Sequence, residues 1–213
     1  MHHSLAELLK GSKQGLKAQL KMSSKPRPGT RPIYKVQDAC LKAGVLVLIY
    51  PVEKQLILVL TRRTEEVEIH QGQISLPGGR QEKGETLRQA ALRETREELG
   101  IPTDSLQLLG ELTPLYVPTS NYCIYPTVAY ASNRPKFQPA IKEVAEVIEV
   151  PLTCLIAPQS VGEEVWNIHD SEILVPYYAF GNHKIWGATA MVLAELVEML
   201  RKDSLMEKKD VSG

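Results

Sequence analysis

Residues 79–101, GRQEKGETLRQAALRETREELGI, constrain the local structure more than any other part of the chain. Thr86 followed three residues on by Gln89 is a capping-box start. Leu87, Ala90, Ala91 and Leu92 are good helix formers, and Gly100 stands where a left-handed cap ends a helix. The spacing predicts a helix over 87–99. On it Glu94, Glu97 and Glu98 recur at i, i+3 and i+4, so their side chains share one face within one turn. Crowded carboxylates repel one another, and a hard divalent cation relieves that repulsion. Mg²⁺ or Mn²⁺ suits an all-oxygen shell completed by water and phosphate oxygens. Glu94, Glu97 and Glu98 are therefore the expected metal ligands. Glu85 before the helix can pair with Arg93 on it, which makes Arg93 an organiser of the loop. Pro77-Gly78-Gly79 allows close backbone approach, so a carbonyl of Gly78 or Gly79 is a further metal contact.

A helix rich in Glu and Arg is ordinarily a solvated face laced with i,i+4 pairs. The complete spacing sets that reading aside. Gly79, five residues, Glu85, seven residues, then Arg93-Glu94-x-x-Glu97-Glu98-x-Gly100-Ile101 resembles, position by position, the signature of the Nudix hydrolases. Thr95 departs from it, standing where an aliphatic residue is usual.

The length of 213 residues suits one domain with an ample core, and 25 basic against 25 acidic residues leave no net charge. No basic stripe points to nucleic acid. Cys40, Cys123 and Cys154 form no CxxC pattern and read as buried, reduced thiols of a cytoplasmic protein. There is no apolar run long enough to span a membrane and no signal pattern. Leu5, Leu8, Leu9, Leu16, Leu20 and Met22 recur at roughly helical spacing, interrupted by Gly11; this face is expected to pack on its own domain or on a second subunit. The connector KPRPGTRP over 25–32 breaks it.

Runs 42–50 and 55–61 read as buried strands joined by a turn at 51–54. Strands are also expected over 106–115, 122–131, 143–152 and 175–180, with a tight turn at Gly181-Asn182. A helix from about 185 to 200 packs through Met191, Leu193, Ala194, Val197 and Leu200, and a charged tail frays after it. Arg62, Arg63, His70 and Gln73 lie few residues from the metal segment, so they are candidates for contacting phosphate or nucleotide.

The segment from Leu60-Thr61 through Arg62 or Arg63 to His70-x-Gly72-Gln73 and Pro77-Gly78-Gly79 resembles the extra motif of the coenzyme A pyrophosphatases within the Nudix family. Thr64, Glu68 and Leu76 depart from it, Glu68 by placing an anion where a cation is usual. The Val-Pro-Leu step after Glu143 and IWGATA at 185–190 resemble the same family. Trp186 reads as a core anchor. His70 and Gln73 read equally as framework residues, and Glu143 equally as a base, an extra metal contact or a surface cap.

The resemblance implies an α/β protein: the Nudix α/β/α sandwich around a central mixed β-sheet, over residues 33–202. An N-terminal helix and connector would occupy 1–32 and a tail 203–213. It further implies metal-dependent splitting of the pyrophosphate bond of coenzyme A or a derivative, giving 3′,5′-adenosine bisphosphate and 4′-phosphopantetheine. Glu97, Glu94 or Glu143 would serve as general base. The partner is a small nucleoside diphosphate, and a homodimer is expected. The alternatives are hydrolysis of ADP-ribose, nucleotide sugars or other nucleoside diphosphates, and a nucleotide sensor that cleaves nothing.

Overall fold

The computed structural model describes residues 2–11, 13–25, 39–64, 72–168 and 171–210. In chain order the elements are α1 (His2–Lys10), α2 (Gly15–Gln19), β1 (Leu41–Val52), β2 (Gln55–Arg63), β3 (Ile74–Ser75), β4 (Gly78–Arg80), α3 (Leu87–Leu99), β5 (Gln107–Glu111), β6 (Leu115–Val117), β7 (Tyr122–Tyr130), β8 (Val144–Pro151), α4 (Leu152–Ile156), β9 (Val161–Ile168), β10 (Ser171–Phe180), β11 (His183–Trp186) and α5 (Gly187–Asp210).

Strand β1 is the axis. It pairs antiparallel with β2 and β4 and parallel with β7, so the main sheet is mixed and runs β3-β2-β1-β7-β5. Side-chain alternation divides its apolar residues between two layers. Leu46, Leu48 and Tyr50 pack with Ala91 and Leu99 of α3. Val47 and Ile49 join Leu193, Leu196 and Val197 of α5 on the other face. This is the expected α/β/α sandwich. Full burial of a leucine such as Leu48 is worth about 2 kcal/mol, so both layers hold the strand firmly. Gly44 fixes how closely α3 approaches, because a Cβ there would lie 2.0 Å from the Leu87 carbonyl oxygen. Strand β8 covers the outer edge of β2, with a register shift between Arg62 and Arg63. A second, antiparallel sheet runs β11-β10-β9.

The N-terminal apolar residues pack on the same domain: Leu5, Leu9 and Met22 belong to the α5-side core. Gln19 Nε2 donates to the Thr113 carbonyl at 2.8 Å, and the buried Glu195 carboxylate of α5 accepts from Gly15 N–H at 3.0 Å.

The structure corrects several expectations. Cys40 and Cys123 form a disulfide rather than two reduced thiols; only Cys154 is free among the described residues. The parallel pairing of Leu41 with Tyr122 brings the two cysteines together, and their pairing removes the thiol argument for a cytoplasmic location. The strand expected over 106–115 divides into β5 and β6. Thr113 leaves the ladder there because its N–H and hydroxyl both bond the Glu195 carboxylate, at 2.8 and 2.7 Å. Helix α5 continues to Asp210, past the expected end, since nothing from 201 to 210 is a helix breaker. The connector over 26–32 lies outside the described residues. Among the described residues no helix is long and apolar enough to cross a membrane.

Candidate active site

Helix α3 begins and ends where its sequence requires. Thr86 accepts from Gln89 N–H and Gln89 returns the bond, and Gly100 adopts φ 65° at the cap. The two ends fix the phase of Glu94, Glu97 and Glu98 relative to the sheet, yet the three differ in environment. Glu98 is buried, with Oε2 accepting Gly78 N–H at 3.2 Å and Oε1 facing Arg63 Nη1 at 3.7 Å. Burial pushes its carboxyl up to about 7. Glu94 is less enclosed; burial raises its carboxyl too, against the pull of Arg93. Glu97 is open, with 57% of its side chain exposed.

Arg93 gathers the corner. Its Nε and Nη2 form a fork on Glu85 at 3.2 and 2.9 Å, Nη2 also reaches the Arg80 carbonyl at 3.1 Å, and Nη1 bonds Glu94 at 2.9 Å and Glu97 at 3.1 Å. The Arg93 bond holds the Glu85 carboxyl below the usual carboxylate range. The Glu85–Arg93 pair expected from the sequence is therefore present. Gly79 lets the loop lie against the cluster, since a Cβ there would stand 2.4 Å from the Glu94 carboxylate. Gly78 contributes its N–H to Glu98. Glu143, at the mouth of β8, is close enough that its charge raises both Glu94 and Glu98. It is held there by Thr64 N–H, which donates to its carbonyl at 3.0 Å.

The other phosphate candidates separate. Along β2, Val59 and Arg63 face the α3 side, while Leu60 and Arg62 face the α5 side. Arg62 donates through Nε to Glu146 at 3.0 Å, and with Gln73 it lines a cleft of ≈ 390 Å³ whose far wall is the β10–β11 hairpin. Arg63 alone of this pair meets the carboxylates. His70 and Glu68 lie outside the described residues.

A NUDIX domain profile matches residues 41–171, well over half of the chain. The chain belongs to the Nudix hydrolase family. It is 31% identical over 171 residues to the "uncharacterized Nudix hydrolase NudL" of Photorhabdus laumondii, covering 80% of this chain and 90% of that one. A protein of the same description from Pectobacterium atrosepticum is 34% identical over 126 residues, or 59% of this chain; the match spans 62% of the relative's length. Among solved structures, the NUDIX domain of Shewanella oneidensis NrtR, complexed with ADP ribose, superposes with a TM-score of 0.50 at 19% identity, over 83% of this chain and 94% of that one. That likeness concerns the fold. Pyrophosphohydrolase activity is the enzyme class that family membership brings, and Nudix hydrolases generally use divalent metal ions.

The residues of this Nudix chain suit such an ion. Its corner offers hard oxygen donors on one helical turn, and the buried Glu98 carries a desolvation cost that a cation offsets. Among the described residues, however, no three His, Cys, Asp or Glu side chains are already gathered as a metal cage. Arg93 occupies oxygens of Glu94 and Glu97 instead.

Sequence reasoning found the strand over 175–180 and the turn at Gly181-Asn182 but missed β9 and β11; Ile185 and Trp186, expected to open the helix, end β11, and the helix starts at Gly187. Trp186, expected as a core anchor, is only partly buried and packs edge-on against Trp166, with ring centroids 4.7 Å apart. Alternation in 161–168 was the available signal for β9, weakened by its two adjacent glutamates.

Proposed function

We propose that this Nudix hydrolase cleaves the pyrophosphate bond of coenzyme A or a coenzyme A derivative, giving 3′,5′-adenosine bisphosphate and 4′-phosphopantetheine. Mg²⁺ or Mn²⁺ would be held by Glu94, Glu97 and Glu98, with a carbonyl of Gly78 or Gly79 as a further contact. The observation that carries the reading is the α3 corner: a buried carboxylate, a half-buried one and an open one on a single turn, braced from behind by Arg93 and Glu85. When bound, the ion neutralises charge on the diphosphate oxygens and eases deprotonation of the attacking water.

The chain's own residues supply the rest. Glu85 and the Arg80 carbonyl fix the Arg93 guanidinium, which orients Glu94 and Glu97 through Nη1. Arg63 places a positive charge beside the corner for a substrate phosphate. The proton of the water is taken by Glu97, Glu94 or Glu143; on Glu97 the Oε2 atom is bonded to Arg93, which leaves Oε1 to meet either the ion or that proton.

The coenzyme A preference rests on the motifs around Arg62–Gly79 and at 185–190, and their physical connection supports it. Thr189 Oγ1 donates to the Ile74 carbonyl at 3.0 Å, so segments more than a hundred residues apart support one another beside β2. The test is product analysis after incubation with coenzyme A and Mg²⁺ or Mn²⁺, beside Glu97→Gln and a panel containing ADP-ribose and nucleotide sugars. Release of both phosphorylated halves by the wild type alone is expected. Rapid ADP-ribose cleavage with coenzyme A intact would move the substrate to that class, and an inert panel would make the protein a nucleotide sensor.

A further inference from the structure

We propose that the β10–β11 hairpin, across the cleft from Arg62, is the specificity wall for a phosphorylated purine nucleoside: it holds the end of the substrate that carries a ribose phosphate monoester beside the base. This rests on the coenzyme A reading above and assigns residues that reading leaves unused. The cleft lies on the face of β2 opposite Arg63 and is lined by Arg62, Gln73, Asn182, His183, Lys184 and Trp186.

Its charges are prearranged. Glu146 accepts Arg62 Nε on Oε2 at 3.0 Å and faces His183 Nε2 from Oε1 at 3.3 Å, so one carboxylate sets two nitrogen groups side by side. Among the described residues no hydrogen bond occupies Arg62 Nη1 or Nη2, the pair of nitrogens that fits two oxygens of a phosphate monoester. Lys184 is different. Glu164 binds its ammonium through both oxygens at 2.7 Å, so its charge is already matched and it belongs to the frame.

The ring side is equally defined. Trp166 meets Trp186 edge-on at 73° and is itself tied by Nε1 to Glu164 at 3.1 Å, which fixes the Trp186 plane as a wall of the cleft. Indole offers a surface on which a purine stacks. The Gln73 and Asn182 side-chain amides have no hydrogen-bond partner among the described residues, and an amide carries both the donor and the acceptor that a purine edge requires. The pantetheine arm, whose amides could meet Gln73 and Asn182, has neither a ring to stack on Trp186 nor a phosphate monoester for Arg62.

The experiment compares coenzyme A with 3′-dephospho-coenzyme A as substrates, and adenosine 3′,5′-bisphosphate with 5′-AMP as ligands in titration calorimetry, using the full chain. The wild type should favour the 3′-phosphorylated member of each pair by about tenfold, the worth of one charge-assisted contact. Arg62→Gln and His183→Gln should bring both ratios toward unity, chiefly through KM and Kd, with Arg62→Lys recovering part of the preference. Trp186→Leu should weaken both ligands of a pair alike. Equal use of both substrates by the wild type, or an unchanged ratio in well-folded Arg62→Gln, would overturn the proposal. If neither substrate is cleaved, the coenzyme A reading fails, while calorimetry with the bisphosphate still decides the cleft.

Discussion

Arg62 and Arg63 are neighbours in sequence, yet they serve two regions built in different ways. Around Arg63 the carboxylate corner comes almost wholly from one continuous stretch, 78–98, whose helix phase, cap and paired loop are local matters. Around Arg62 the cleft is assembled from β2, the start of β3 and a hairpin more than a hundred residues later. A region made locally can be altered without disturbing the fold. One made from distant segments depends on the packing that brings them together.

Five outcomes sharpen or break that contrast. The largest is Glu98→Gln or Glu97→Gln, each expected to lower kcat by about 10³-fold while the melting temperature of the metal-free protein holds or rises. Equal losses of stability would mean that the corner is part of the frame. Next, Gly79→Ala should cost about 10²-fold in activity, because the new Cβ displaces only the Glu94 carboxylate. Gly78→Ala is its counterpart: at φ 147°, with a Cβ 2.4 Å from the Gly44 carbonyl oxygen, it should show up in thermal unfolding as failed β1–β4 pairing. If the two adjacent glycines gave the same phenotype, the division of labour assigned here would be wrong.

On the opposite side of the sheet, Glu195→Ala should lower unfolding stability by about 2–3 kcal/mol in denaturant titration, since it strands the Gly15 and Thr113 N–H groups. Its KM should move little. The smallest effect is a pH dependence. The metal-free folded state holds the Glu98 proton up to about pH 7, whereas the unfolded chain releases it near the ordinary carboxylate value. Stability of the metal-free protein therefore declines as pH rises between those values, and a bound cation removes the loss. The rise in melting temperature on adding Mg²⁺ should be larger near pH 8 than near pH 6, and Glu98→Gln should abolish that difference.

The same contrast explains what could be read from residues alone. Helix α3 emerged with its exact bounds because Thr86, Gln89 and Gly100 are caps whose partners lie within the segment. The Glu85–Arg93 fork followed from spacing for the same reason. Cys40 and Cys123 could not be paired in advance, because their meeting depends on a parallel register across 83 residues. Glu195 carries no signal of its own in the sequence; its burial comes from α2 and Thr113 closing over it. Trp186 was legible as an anchor but not as a wall, since Trp166 lies on a strand with little apolar signature.

The register shift between Arg62 and Arg63 has an evolutionary corollary. Gain or loss of a single amino acid along β2 would make the two guanidinium groups change sides, Arg62 turning toward the carboxylate corner and Arg63 toward the cleft, each out of step with the partner it has lost, Glu146 or Glu98. Length variation among descendants of this protein should therefore collect in its turns and be purged from this strand.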